Sequence, residues 1–160
     1  MKYDFLVLSL LCGLPGLVMI LIRRDLRPVA LFMALTSLPF AFTESLFYPS
    51  YWEPRFLFNL ADIIGFGIED LIFVAGLGVL SSTIYPFCFG KRYTDILALS
   101  LRHALLKVIS VLSVSAVLVG LAIIFAIPMI YASVGIMVLV CAVLLFIRRD
   151  LALPALLGGL

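Results

Sequence analysis

Residues 5–22 read FLVLSLLCGLPGLVMILI, eighteen positions without a charge, and the run stops at Arg23-Arg24-Asp25-Leu26-Arg27. A helix of about 20 apolar residues crosses the hydrocarbon core of a bilayer. A basic cluster directly behind it marks the place where such a helix returns to water. Pro15 and Gly16 sit inside the run, which membrane helices tolerate better than soluble ones. A secretory leader would open on a positive patch and close on small residues. Here Lys2 and Asp4 cancel and the run ends on arginines, so the segment reads as a retained helix.

The rest of the chain repeats this theme. Of 160 residues, 65% are hydrophobic and 12% are charged, against about 25% charged in an ordinary soluble domain. The mean hydropathy is +1.29. A soluble domain of this composition could not cover itself with polar surface, so lipid is its natural solvent. The reading is all-α: a polytopic transmembrane helix bundle in one domain over residues 1–160. It has five spans plus a short C-terminal sixth segment. Nucleic acid is not an expected partner, because the basic residues form short clusters between apolar runs. Cys12, Cys88 and Cys141 are scattered through apolar sequence and suit neither a zinc site nor a disulfide framework. No metal or cofactor is expected.

Span by span, Pro28 opens a second helix that runs to about Phe47 and contains Pro39 and Glu44. Tyr48-Pro49-Ser50-Tyr51-Trp52-Glu53-Pro54-Arg55 follows, with two prolines that forbid a regular helix and three aromatics suited to the membrane–water interface. A third helix is expected over residues 57–87, ending at Pro86 and Lys91-Arg92. Residues 93–107, with Asp95, Arg102, His103 and Lys107, read as an interfacial amphipathic segment. A fourth helix covers about 108–126 and a fifth about 129–147. Residues 151–160 are too few to cross. Residues 1–92 form the core that holds the acid motif, and 108–160 hold helices four, five and the short sixth segment.

If the five helices alternate, Arg23, Arg24, Arg27, Lys91, Arg92, Arg102, Lys107, Arg148 and Arg149 fall on one side, and only Lys2 and Arg55 on the other. That places the basic loops in the cytoplasm and the N-terminus outside the cell membrane. One repeat is visible: Ile22-Arg23-Arg24-Asp25-Leu26 returns as Ile147-Arg148-Arg149-Asp150-Leu151, each followed by a proline, Pro28 or Pro154. Four helices separate the copies, so they face the same way, as a parallel internal repeat would. A generic stop-transfer signal is the plainer reading of the paired arginines.

The carboxylates are the candidates for chemistry. One at the bilayer centre costs on the order of 2.5–3.5 kcal/mol on insertion scales, and such residues usually face inward and are used. Glu69 and Asp70 lie well inside the third expected helix. Asp62 lies seven residues before Glu69, close to the same helical face and about 10 Å away along the axis. Glu44 sits near the outer end of the second helix. No lysine or arginine lies at the same depth. An acid kept neutral by apolar surroundings is the condition for general-acid work. The plainer reading is that these acids bond to backbone or neighbouring helices and fix packing. Gly65, Gly67, Gly76 and Gly78 allow close approach of a helix or of a flat ligand. Phe40, Phe42, Phe66 and Phe73 flank the acids, and Trp52 lies in the loop. Their ring faces could stabilise a cation or simply fill space.

Three stretches carry a resemblance. They are Leu38-Pro39-Phe40-Ala41-Phe42-Thr43-Glu44, then Phe47-Tyr48-Pro49-Ser50-Tyr51-Trp52-Glu53-Pro54, and Phe66-Gly67-Ile68-Glu69-Asp70-Leu71-Ile72-Phe73. Together they resemble the lycopene cyclase domain family, small integral-membrane carotenoid cyclases that occur as paired subunits or fused tandem halves. Arg23-Arg24-Asp25-Leu26 is similar to family members as well, and the likeness is best over residues 15–92. Gly67-Ile68-Glu69-Asp70 stands where the family has a proline, one residue and two acids. The resemblance implies acid-catalysed, redox-neutral cyclisation of the end of an apolar polyene. Glu69 would be the acid, with Asp70 or Glu44 as base or tuning group, Asp62 nearby, and Phe40, Phe42, Phe66, Phe73 and Trp52 around the substrate. It also implies a homo- or hetero-oligomeric membrane partner, since this chain offers one acid pair. Two other functions compete: a small proton-coupled transporter subunit, using Asp62, Glu69 and Asp70 as a relay, and a non-catalytic assembly subunit.

Overall fold

The structure is a computed structural model that describes residues 4–93 and 101–159. Lys2, Asp95 and the side chains of Arg102, His103 and Lys107 lie outside the described residues, as do residues 94–100 of the expected interfacial segment. Among the described residues every regular element is helical. Four helical stretches are long and apolar enough to cross a bilayer: Asp4–Ile22, Arg24–Leu46, Ile68–Cys88 and Met129–Ile147. These are the helices of a membrane protein, and their apolar side chains stay largely exposed, Leu21 and Leu31 among them. The chain divides into two compact units, Met1–Thr94 and Asp95–Leu160.

In the first unit α1 (Asp4–Ile22) and α2 (Arg27–Ser37) both pack along α4 (Ile68–Cys88). Small residues let the backbones meet. A Cβ on Gly76 would stand 2.8 Å from the Gly13 Cα of α1, and one on Gly78 would strike Ser37 of α2. Close approach through small residues is how helices gain contact where no hydrophobic effect drives them together.

The basic cluster closes one end of this unit. Arg23 grips Asp25 through two nitrogens, at 3.2 and 2.6 Å, and also donates to the carbonyls of Pro86 (2.5 Å) and Lys91 (2.8 Å). Arg27 donates to Ile20 O at 3.0 Å, taking one of the carbonyls left free at the end of α1. Pro86 has no N–H to offer Ser82, and the Tyr93 hydroxyl donates to that carbonyl instead, at 2.7 Å.

Two expected helices differ from expectation. The second is α-helical only to Ser37 and continues as a 3₁₀ helix over Leu38–Leu46. Pro39 removes a donor as the helix ends. Thr43 and Ser45 hydroxyls then take the carbonyls of Phe40 (2.6 Å) and Phe42 (2.7 Å), three residues back. Nine residues is long for this helix type, which usually runs three or four. The third expected helix, 57–87, is not continuous. A 3₁₀ turn Leu57–Asn59 leads into a short α3 (Leu60–Ile64), and α4 starts afresh at Ile68.

In the second unit α5 (Leu101–Ile124) packs on α6 (Met129–Ile147), and α7 spans Ala152–Gly159. The backbone around Arg102, His103 and Lys107 is part of α5, which starts before the expected fourth helix. The apolar part of α5, Val108–Ile124, is shorter than the four spanning stretches. The described part of α7, eight residues, is about 12 Å long. No described residue of α6 is buried. After it the turn of the first unit recurs: a 3₁₀ turn Arg149–Leu151 stands where Arg24–Leu26 stood. Arg148 grips Asp150 through Nε and Nη2, at 2.9 and 2.8 Å, and that bond holds the Asp150 carboxyl below the usual carboxylate range.

Candidate functional site

The break before α4 builds the site. Gly65 closes α3 in the left-handed region, φ +83°, which suits glycine. Gly67 is extended and caps α4, and its N–H donates to Asp70 Oδ2 at 2.7 Å. An acid at the third helical position that binds the cap N–H is half of a capping box. Glu69 and Asp70 therefore lie in the first turn of α4, not mid-helix, where the helix dipole favours negative charge. The expected stripe of Asp62 and Glu69 on one continuous helix does not exist, because Gly65 and Gly67 turn the chain between them.

Glu69 is fully buried, and Asp70 is 4% exposed. Glu69 Oε1 accepts the Leu57 N–H at 2.7 Å, so the packing role weighed for these acids is real for one oxygen each of Glu69 and Asp70. Glu69 Oε2 is buried with no hydrogen-bond partner, and so is Glu44 Oε1. Unpartnered buried carboxyl oxygens are costly and call for an explanation.

Glu44 and Asp70 line one cavity of about 150 Å³, together with Phe5, Phe40, Trp52 and Phe73. Five of the nine sequence-derived site residues thus meet in one place. Glu69 does not line that cavity; it sits beside Asp70 and turns toward Leu57. Phe42 and Phe66 pack edge-to-face on each other, with ring centroids 4.7 Å apart. Asp62 is held apart, accepting the Tyr48 hydroxyl at 2.6 Å. That bond pushes the Tyr48 phenol up to about 12, so it remains a donor at neutral pH.

Sequence reasoning missed Phe5. It packs against Trp52 (4.8 Å), Phe56 (5.5 Å) and Phe73 (6.2 Å) and forms one wall of the cavity. It is the one aromatic of the first span, and its position at the same end as the Tyr51-Trp52 belt was the available signal. Among the described residues no three His, Cys, Asp or Glu side chains converge as metal ligands would. No protein-family model matches the chain, and no curated protein or solved structure matches it either.

Proposed function

We propose that this protein is a membrane-embedded acid catalyst that cyclises the end group of a linear polyene, in the manner of the lycopene-type cyclases its sequence resembles. One observation carries the reading: Glu44 and Asp70, from different spans, share an apolar cavity walled by Phe5, Phe40, Trp52 and Phe73. Glu44 is the better-placed proton donor, because its Oε1 is buried and unpartnered. Asp70 already accepts the Gly67 N–H, which suits a carboxylate that takes a proton back. The donor's proton adds to the terminal double bond and leaves a tertiary cation. An internal double bond attacks it, forming the ring bond, and a neighbouring C–H gives its proton to Asp70. No electron is gained or lost overall. Aromatic faces steady the cation meanwhile. About 150 Å³ accommodates an end group and not a whole polyene, so the remainder would lie along lipid or a partner subunit.

The finer topology belongs to the same proposal. α5 is a fifth span, α7 begins a sixth segment, and the two Arg-Arg-Asp-Leu turns are copies of one unit. The end that carries Arg23, Arg24, Arg27, Lys91 and Arg92 faces the cytoplasm, and the N-terminus lies outside.

A second reading has its own support. The chain breaks at Gly65–Gly67 beside the acids, as spanning helices of proton-coupled transporters break at their sites. The free end of α4 is already filled by Glu69 and Asp70, so an anionic cargo is disfavoured and protons are favoured. Expression in lycopene-accumulating bacteria separates the two. The cyclase reading expects ring-bearing pigment on chromatography. Unchanged lycopene, with acid-driven proton flux in liposomes holding the purified protein, would favour transport.

A further inference from the structure

A second cavity lies on the far side of the same aromatic cluster. It measures about 430 Å³ and is lined by Tyr48, Glu53, Arg55, Phe56, Asn59 and Asp62. Four of these side chains carry an ionisable group, whereas half of the residues around the cavity at Glu44 are aromatic. The two are separated by very little. Phe56, 6% exposed, walls the polar cavity and meets Phe5 (5.5 Å) and Tyr48 (5.6 Å) edge-to-face. Phe5 in turn walls the cavity that holds Glu44 and Asp70.

Phe56 and Glu69 approach the same glycine. Both crowd the space beside Gly67: a Cβ there would strike the Phe56 ring and stand 2.6 Å from Glu69 Oε2. The unpartnered oxygen of a fully buried acid and a ring that faces the polar cavity therefore lie beside the same glycine. The backbone around that ring is tightly determined. Leu57 N–H is bonded to Glu69, and Phe58 and Asn59 follow in the left-handed region, at φ 60° and 52°. Such conformations in residues other than glycine persist where their surroundings hold them, and they gather at functional sites.

We propose that the polar cavity is the port through which the buried carboxylates exchange protons with water, with Phe56 as its gate and Glu69 as its inner end. On the water side the facing groups are Tyr48, Glu53, Arg55 and Asp62; on the inner side they are Asp70 and Glu44. Asp70 follows Glu69 in the first turn of α4 and shares a cavity with Glu44, so the three acids form a series. When the ring swings aside, a proton from cavity water binds Glu69 Oε2 and can pass along that series. Cyclisation leaves Glu44 without its proton and Asp70 with one. The port resets both with no net change: one O–H bond breaks at Asp70 and one forms at Glu44. The use made of the port rests on the acid-catalyst reading, but its existence can be tested without it.

The test is thiol accessibility in nanodiscs, with Cys12, Cys88 and Cys141 replaced by alanine and a charged, membrane-impermeant methanethiosulfonate as the probe. Asn59→Cys at the mouth should react promptly. Glu69→Cys should react slowly behind Phe56 and at least about tenfold faster with Phe56→Ala, a change equal to about 1.36 kcal/mol of barrier. Phe56→Leu, a milder change, should fall between, which guards against a misfolded alanine variant. Unchanged Asn59→Cys reactivity in the Phe56→Ala background marks an intact fold. The proposal is overturned if Asn59→Cys is inert, if Glu69→Cys reacts equally with and without Phe56, or if it reacts in neither. None of these results depends on whether the protein makes cyclic pigment.

Discussion

Ile22-Arg23-Arg24-Asp25-Leu26 and Ile147-Arg148-Arg149-Asp150-Leu151 have the same sequence and make the same turn, yet they live in different company. In both, an arginine grips the aspartate two residues on and a 3₁₀ turn follows a spanning helix. Arg23, with its side chain 19% exposed, also reaches the Pro86 and Lys91 carbonyls and pins the far end of α4. Arg148, 61% exposed, has only its aspartate among the described contacts. The helices before the turns differ in the same way. α1 lays glycines against α4, whereas no described residue of α6 is buried. The local turn is thus a property of five residues, while everything that makes a site comes from what packs around it. Among the described residues, only the first unit brings two spans against a third that carries acids.

Paired substitutions can break that comparison. Gly13 and Val138 occupy the same position relative to their turns. Gly13→Leu should push α1 off α4 and cost about 1–3 kcal/mol, the usual penalty for overpacking, seen as a lower unfolding midpoint in detergent. Val138→Leu, at a position 64% exposed, should leave the midpoint unchanged. Equal losses would mean that α6 is as closely packed as α1. A smaller contrast is expected at the arginines. Arg23→Ala strands two carbonyls and should lower the midpoint by several degrees, while Arg148→Ala removes one exposed pair and should stay within scatter. The reverse order would contradict the pinning role of Arg23.

Much of this architecture was legible because lipid imposes simple rules. The spans α1 and α6 follow from uninterrupted apolar runs that end on basic pairs, and their bounds match expectation to within a residue. The irregular parts were not legible. A run of apolar residues around Gly65-Phe66-Gly67 looks like any glycine-tolerant membrane helix, and nothing local says that Gly65 takes a positive φ. Recognising Asp70 as the capping acid of a new helix would have required placing that break first. The acid cluster was visible as composition, since Glu44, Glu69 and Asp70 stand alone in apolar sequence. Its internal order was not, because the Glu69–Leu57 bond, the Asp62–Tyr48 bond and the Phe5 wall join residues from different elements.

The central claim is that Glu44 and Asp70 work as a proton donor and acceptor in one aromatic cavity. The most direct measurement is ring-bearing pigment formed per unit of membrane-inserted protein in lycopene-accumulating cells, for the wild type, Glu44→Gln and Asp70→Asn. Removing a general acid or base typically costs about 10²–10⁴-fold in rate. Each variant should therefore lose at least about a hundredfold of product at equal protein level. Cyclisation at the wild-type rate by both variants would contradict the account.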